Sequence, residues 1–148
     1  MPIHVWKAAA SAVGHRVAYA DLGWVVKAAA EFLVEELDPA ERSVYHLGHA
    51  SFADELRPEA VPDAQRSITL ALMDLRGRTG RESRHDWANA DLYVRDHLAT
   101  HAAAGGLLSE LVTDRAYLAA ADPIRLRRAL DTDPALRDQI VPLLRSGT

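Results

Sequence analysis

The amino-acid sequence predicts a mainly α-helical chain that contains one β-hairpin. Alanine, the best helix former, supplies 27 of the 148 residues. Apolar residues recur at steps of three and four along most of the chain, as they do on the buried face of a helix. One stretch, residues 32–47, instead carries two short runs rich in valine, leucine and aromatic residues around an Asp38-Pro39 break. That pattern is typical of two strands joined by a turn.

The first part of the chain holds two predicted helices and then the hairpin. Leu22, Val25 and Val26 show the helical spacing, and Asp21 is predicted to lie in the first turn, where a carboxylate is favourable. The helices are predicted at 3–13 and 20–31, the strands at 32–37 and 43–47, and their turn at 38–42. Two helices followed by a hairpin make up the latter part of a winged helix–turn–helix domain. Residues 1–57 are therefore predicted to form a partial winged helix with its wing tip at the turn.

The second part, residues 63–148, returns to helical periodicity and is predicted to be an array of short helices. Capping residues, prolines and glycines set the predicted bounds. Ser51 is predicted to cap a helix at 52–57, and Asp63 to cap one that reaches Leu75. A long helix is predicted from Asp86 to Gly105-Gly106, followed by helical pieces at 107–112 and 116–121. The last two helices, at 123–131 and 134–145, begin with Asp122-Pro123 and Asp133-Pro134, and Pro142 is predicted to bend the second of them. The array resembles the first units of an α-solenoid, although no fixed-period repeat is visible.

Composition excludes several classes of protein. An apolar share of 49% with 26% charged residues is that of a folded globular chain and not of a disordered or fibrous one. The sequence has no cysteine, which excludes disulfides, thiolate nucleophiles and cysteine zinc sites. No apolar run approaches the roughly 20 residues that span a membrane, and Met1-Pro2-Ile3-His4 lacks the features of a secretory signal. We therefore expect a cytoplasmic protein with no membrane partner.

No catalytic residue, cofactor site or metal site is predicted. The polar segment Gly77–Ser83 lacks the lysine and the spacing of a phosphate-binding P-loop. His97 and His101 lie one helical turn apart, as two zinc ligands can, but no third ligand accompanies them. Ser51 lies close to His49 only in sequence, and helix capping explains it better than nucleophilic catalysis. We therefore expect a protein that is not an enzyme.

Charge disfavours nucleic acid as a partner. The net charge is −4, and residues 1–62 hold five basic against nine acidic side chains. A winged helix that reads duplex DNA normally carries basic residues on its second helix and wing, whereas here that helix offers Lys27 against Asp21 and Glu31. A basic run, formed by Arg76, Arg78, Arg81 and Arg84, is predicted to lie in an exposed loop. A winged-helix DNA-binding regulator is the alternative function, and it requires duplex affinity that falls steeply with salt.

Two segments resemble a known family. The first reads Val44-Tyr45-His46-Leu47-Gly48-His49-Ala50-Ser51-Phe52-Ala53-Asp54-Glu55-Leu56, and the second extends from Trp87 to Leu130 and includes Tyr93-Val94-Arg95, Thr113-Asp114 and Tyr117-Leu118. They are similar to the end of the winged helix, and to the helical stretch that follows it, in actinobacterial signalling NTPases of the STAND class. His46, Gly48 and Ala50 depart from the family pattern, in which arginine, an aromatic residue and glutamine are expected.

The resemblance implies a regulatory role without catalysis. In that family a P-loop ATPase core precedes the winged helix and sensor repeats follow the helical stretch, and no residues of this chain match the motifs of that core. The implied function is a non-catalytic regulatory or protein-interaction module, similar to the part that couples the nucleotide switch of a STAND NTPase to its sensor repeats. The implied partner is the rest of such a signalling protein or a second copy of the chain. An incomplete winged helix should leave an apolar face for that partner, with Val5, Trp6, Val25 and Phe32 as candidate interaction residues.

Overall fold

The structure is a computed structural model of the chain, and it describes residues 1–51, 62–75 and 86–146. Within these residues eight helices and two strands follow one another. In chain order they are α1 (Ile3–Val13), α2 (Tyr19–Ala28), β1 (Leu33–Leu37), β2 (Ser43–Leu47), α3 (Pro62–Asp74), α4 (Leu92–Ala104), α5 (Leu108–Leu111), α6 (Arg115–Ala120), α7 (Pro123–Leu130) and α8 (Pro134–Ser146). The predicted class, a mainly α-helical chain with one hairpin followed by a helical array, is confirmed.

The chain divides into two compact units. Unit 1 is Met1–Val61 and unit 2 is Pro62–Thr148, whereas the domains expected from the sequence are 1–57 and 63–148. Helices α1 and α2 and the hairpin belong to unit 1, and helices α3 to α8 belong to unit 2.

The hairpin of unit 1 is closed by an aspartate. Strands β1 and β2 pair antiparallel, with Leu33 opposite Leu47. The Asp38 carboxylate accepts hydrogen bonds from the backbone N–H groups of Ala40 (2.8 Å) and Arg42 (3.0 Å) and from the Arg42 guanidinium (2.7 Å). The bonds from Arg42, first from its backbone and then from its side chain, hold the pKa of Asp38 below its usual range. The turn is therefore fixed by local side-chain chemistry, as the Asp-Pro sequence predicts.

Helix α1 supplies much of the buried surface of unit 1. It contacts α2 and β2, and Val5, Ala9 and Leu22 are buried. The ring of Trp6 lies 6.4 Å from the ring of Tyr45 on β2. The apolar spacing of the two helices in the sequence therefore marks side chains that are buried in the fold.

Helix α2 is shorter than predicted. Its start is marked by Asp21, whose carboxylate accepts a hydrogen bond from the backbone N–H of Ala18 at 2.8 Å. The helix ends at Ala28, and the N–H of Phe32 bonds the carbonyl of Ala29 in a turn that leads to β1. The run of alanines at 28–30 continues the helical pattern without any stop signal, so the sequence overestimates the length of α2.

Helix α4 is the central helix of unit 2. It contacts α3, α5 and α7, and Val94, Leu98 and Ala102 have no exposed surface. Because three helices surround it, α4 positions side chains that reach each of its neighbours.

The start of α4 corrects the sequence prediction. The helix is predicted from Asp86, but it begins at Leu92. The carboxylate of Asp91 accepts a hydrogen bond from the backbone N–H of Tyr93 at 2.8 Å, and it is therefore the cap. Asp86 instead closes a turn by accepting from the side chain of Asn89 at 2.7 Å. Both aspartates satisfy the sequence rule for a helix cap, and the rule alone does not choose between them.

The end of α4 is the predicted Gly105-Gly106 pair. The N–H of Leu107 bonds the carbonyl of Ala102 at 2.8 Å, and the N–H of Gly106 bonds that of Ala103 at 3.4 Å. Gly106 has a φ of +68°, in the left-handed region that favours glycine. These features form a Schellman motif, which satisfies carbonyls that the helix end leaves without partners.

Two predicted aspartate caps in unit 2, Asp122 and Asp133, are confirmed, and Asp114 is a further cap that the sequence did not predict. Asp114 accepts from the N–H of Ala116 (3.0 Å), Asp122 from that of Arg125 (2.8 Å) and Asp133 from that of Leu136 (3.0 Å). Pro123 and Pro134 are the first residues of α7 and α8, where the missing N–H costs nothing. Pro142 lies inside α8.

Two other predicted caps are placed differently. Helix α3 begins at Pro62, so Asp63 lies inside its first turn. Ala50 and Ser51 are already helical, and the imidazole Nδ1 of His49 accepts the N–H of Ser51 at 3.2 Å. The rest of the predicted helix 52–57 and the loop Gly77–Ser83 lie outside the described residues.

Candidate functional site

Exposed apolar side chains are concentrated in unit 1. Eight large apolar residues are exposed in the described part of the chain, and six of them belong to this unit. The six, called the unit 1 apolar surface below, are Val13, Tyr19, Trp24, Phe32, Val34 and Leu37. Trp24 is 70% exposed and Leu37 is 68% exposed. Exposure of such large apolar side chains to water is unfavourable.

The candidate interaction residues divide between the core and the surface. Phe32 is 41% exposed and belongs to the unit 1 apolar surface, whereas Trp6 and Val25 are half-buried. Val5 has no exposed surface, so its place on an exposed face is corrected. It lies on α1, which contacts α2 and β2, and it is therefore a core residue.

Sequence reasoning missed Tyr19 and Trp24. Both lie on α2 but outside the apolar stripe that the spacing of Leu22, Val25 and Val26 defines. An aromatic residue that falls off the stripe of an amphipathic helix is the signal that could have found them. Tyr19 also lies under the Lys7 ammonium, which is 4.9 Å from the ring centre.

The described part of unit 1 carries more acidic than basic side chains. It contains four basic side chains, Lys7, Arg16, Lys27 and Arg42, against six acidic ones, Asp21, Glu31, Glu35, Glu36, Asp38 and Glu41. One of the four cations, Arg42, is paired with Asp38. The exposed face of α2 therefore offers aromatic rings and charges of both signs, rather than the basic row that phosphates attract.

Unit 2 contains a chain of polar contacts along α4. The rings of Tyr93 and His97 stack with their centres 4.4 Å apart. The Tyr93 hydroxyl lies 3.3 Å from Nε2 of His101, and Nδ1 of His101 lies 2.8 Å from Oε1 of Gln65 on α3. At the other end, Nη1 of Arg125 on α7 lies 3.4 Å from Nδ1 of His97. The contacts thus link α3, α4 and α7.

Burial controls the ionisation of this chain of contacts. It lowers the pKa of His97 to about 4, with the positive charge of Arg125 as a second cause. Burial also lowers the pKa of His101 and raises the pKa of Tyr93 to about 12. At neutral pH both imidazoles and the phenol are therefore uncharged, and Nδ1 of His97 can accept a hydrogen bond from Arg125.

The histidine pair does not have the surroundings of a metal site. Its ring nitrogens face a tyrosine, a glutamine and an arginine, and the positive charge of that arginine opposes a bound cation. Within the described residues no group of three or more histidine, aspartate or glutamate side chains could hold a metal ion.

Two adjacent grooves open beside the α4–α7 contact. The first has a volume of about 480 Å³ and is lined by Thr100, Ala103, Ala104, Arg125, Arg128, Ala129 and Thr132. The second has about 290 Å³ and shares Ala103 and Thr132 with the first, but it also includes Asp133 and Ser109. The first groove, called the arginine groove below, therefore carries positive charge, and the second carries a carboxylate.

A part-buried hydrogen bond joins Trp87, which precedes α4, to the residue that caps α6. The indole Nε1 of Trp87 donates to Oδ2 of Asp114 at 2.8 Å, and its ring meets that of Tyr117 edge to face at 5.0 Å. Trp87 and Tyr117 are both buried. Since Asp114 also caps α6, these residues join the segment before α4 to α6, and their role is structural.

The Ser51–His49 pair is a local contact at the start of a helix. Oγ of Ser51 lies 2.6 Å from Nδ1 of His49, and both residues are exposed. The same Nδ1 accepts the backbone N–H of Ser51, which is the geometry of a capping side chain. Asp54, and the basic run Arg76, Arg78, Arg81 and Arg84, lie outside the described residues.

Comparison of the chain with protein-family models, with curated proteins and with solved structures finds no match. The similarity of its two segments to STAND NTPases therefore stays a prediction. None of the described helices is both long enough and apolar enough to cross a lipid bilayer.

Proposed function

We propose that the chain is a non-catalytic regulatory or protein-interaction module whose unit 1 apolar surface receives a protein partner. The observation that carries the proposal is the 70% exposure of Trp24, together with Tyr19 on the same helix. Tryptophan and tyrosine are enriched among the residues that dominate protein interfaces, because they bury a large area at a small cost in side-chain entropy.

The charges of the unit support a protein rather than a nucleic acid as the partner. Around Trp24 the same helix exposes Asp21 and Lys27, and this mixture gives no net attraction for phosphates. An aromatic centre with a polar rim is the usual composition of a protein interface. The partner is a second copy of the chain or the rest of a STAND-type signalling protein.

The resemblance supplies the proposed mechanism. In this view unit 1 corresponds to a winged helix that binds protein, and the helices of unit 2 form the connection to sensor repeats. The module transmits a conformational state by contact, so it needs no cofactor and no catalytic residue of its own.

Solution mass and DNA binding test the proposal on the same samples. Size exclusion coupled to light scattering, at low and high salt, measures the mass of the wild type, of Trp24→Ser and of the control Ile124→Ser. Ile124 is 65% exposed but belongs to unit 2. We expect a wild-type dimer or larger assembly, whose dissociation constant rises by about tenfold or more in Trp24→Ser and stays unchanged in the control.

A duplex DNA titration of the same samples tests the alternative function, a DNA-binding regulator. We expect no binding at either salt concentration. A monomer that binds the duplex with affinity falling steeply as salt rises would contradict the proposal and favour the DNA-binding regulator.

A further inference from the structure

The arginine groove brings two cations to one side of an open space. Arg125 and Arg128 lie one turn apart on α7, and both line the groove opposite Thr100 of α4. No carboxylate lines it in the described part of the chain. Its volume of about 480 Å³ lies in the range of sites that take small ligands, and such sites often lie between packed helices.

Arg128 is available to a ligand. Its side chain is exposed, and it makes no hydrogen bond or ion pair with the residues that the structure describes. Arg137 of the same unit, by contrast, lies 3.5 Å from Asp131 and 3.3 Å from Asp138. The N–H groups of the planar Arg128 guanidinium can therefore donate hydrogen bonds to an oxyanion.

Arg125 is held in place by His97, which does not line the groove. Its Nη1 atom contacts the neutral imidazole of His97, and stacking on Tyr93 fixes that ring. A single contact at 3.4 Å occupies one of the five guanidinium N–H groups. His97 therefore acts as a positioning residue, and the other edge of Arg125 remains free to donate to a ligand.

The remaining lining suits a compact apolar body. Ala103, Ala104 and Ala129 present only methyl groups. The Thr132 hydroxyl donates to the carbonyl of Ala129 at 2.7 Å, so towards the groove it can only accept, whereas Thr100 is exposed and can donate.

We propose that the arginine groove binds a small organic oxyanion, a carboxylate or a phosphate ester, with the oxyanion between Arg125 and Arg128 and its apolar body against the alanines. Paired guanidinium groups bind carboxylate and phosphate oxygens with charge-assisted hydrogen bonds. The adjacent groove repels the same ligand, because Asp133 lines it. The site lies in unit 2 and does not depend on the proposed interaction surface of unit 1.

Backbone amide NMR spectra with four probes test this site. The probes are benzoate, phenyl phosphate, inorganic phosphate and the neutral benzyl alcohol, each added up to about 10 mM. We expect saturable shifts at Thr100, Ala103 and Ala129 with benzoate or phenyl phosphate, and the better of the two identifies the class of oxyanion. Inorganic phosphate should bind about tenfold more weakly than phenyl phosphate, because it gains nothing from the alanines.

Variants separate the groove from general surface charge. Arg128→Gln should weaken the preferred anion about tenfold, and Arg125→Gln/Arg128→Gln should abolish saturation. Arg127→Gln, on the same helix but outside the groove, is the matched control and should bind as the wild type does. Because Arg128 is exposed and without a partner among the described residues, its single variant should fold even if the double variant does not.

Four outcomes would overturn the proposal. They are the absence of saturable shifts with both organic anions, equal binding of benzyl alcohol, equal binding of inorganic and phenyl phosphate, and equal weakening by Arg127→Gln and Arg128→Gln. None of these outcomes bears on the self-association of unit 1, so the two proposals fail separately.

Discussion

Gly105 shows how closely α3 and α4 approach at one residue. A Cβ atom at this position would lie 2.6 Å from the backbone nitrogen of Arg66 and 2.8 Å from its Cα. Such an approach needs a residue without a side chain, since backbone atoms cannot swing aside. Gly23, inside α2, has no such neighbour within 4 Å.

Substitution of these two glycines should have opposite effects. Gly105→Ala forces α3 away from α4, and we expect the free energy of unfolding to fall by about 1–3 kcal/mol. Gly23→Ala should raise it by about 0.5–1 kcal/mol, because alanine favours a helix interior. Urea denaturation followed by circular dichroism measures both, and a neutral Gly105→Ala variant would show that the helices do not approach this closely.

His97 should contribute to the acid sensitivity of unit 2, together with His101, whose pKa burial also lowers. The pKa of His97 in the fold is about 4, below its ordinary value of 6.5, so the unfolded chain takes up a proton more readily in this window. The neutral His97 side chain therefore makes its full contribution to the free energy of unfolding above pH 6.5, and this contribution is lost as the pH falls towards 4. We expect His97→Gln to lose less stability than the wild type between about pH 7 and about pH 4.5.

The acid prediction needs a matched control because other groups titrate. Burial raises the pKa of the Asp96 carboxyl, so the protonation of Asp96 increases the free energy of unfolding as the pH falls. This effect is common to the wild type and the variants, and comparison between them cancels it. His15→Gln removes an exposed histidine from the connection between α1 and α2 and should follow the wild type. If both variants respond alike in chemical denaturation at the two pH values, His97 is not the responsible group.

At the scale of elements, the short helices of unit 2 depend on caps and on packing. Helices α5, α6 and α7 have four, six and eight residues, lengths at which an isolated helix is unstable in water. Aspartate caps on α6 and α7, and the packing of α5 and α7 against α4, must therefore supply the stability that propagation of the helix does not.

Asp114 should be the most important of the caps. Asp114→Ala removes a cap and also leaves the buried Trp87 N–H without this acceptor, so we expect a loss of about 2–3 kcal/mol. Asp122→Ala removes a cap alone and should cost about 1 kcal/mol. Thermal and urea unfolding of the two variants compare them, and equal losses would mean that the indole contact contributes nothing.

The elements that the sequence predicts well are those with local stop signals. The Asp38-Pro39 turn, the Gly105-Gly106 pair and the Asp-Pro starts of α7 and α8 each determine their own backbone within a few residues, and each is found as predicted. The start of α4 is wrong by six residues because two aspartates compete for the cap. The end of α2 is wrong because the alanine run carries no stop signal.

At the scale of the whole molecule, the candidate sites were much harder to predict than the fold. The arginine groove joins Thr100 to Arg125 and Arg128 across two helices, and nothing in the local sequence indicates how those helices pack. An exposed apolar surface in unit 1 is expected from the sequence, but of its six members only Phe32 is identified from the sequence. Spacing alone does not show which side of α1 faces α2, so the sequence predicts an exposed Val5 although this residue is buried.

The three tryptophans of the chain give the two units separate optical signals. Trp87 is 1% exposed and belongs to unit 2, whereas Trp24 is 70% exposed and belongs to unit 1 with the half-buried Trp6. We therefore expect Trp87 to emit at shorter wavelength and to resist quenching by iodide, and Trp24 to emit at longer wavelength and to be readily quenched. Fluorescence can thus follow the melting of each unit, and the covering of Trp24 by a partner, without an added label.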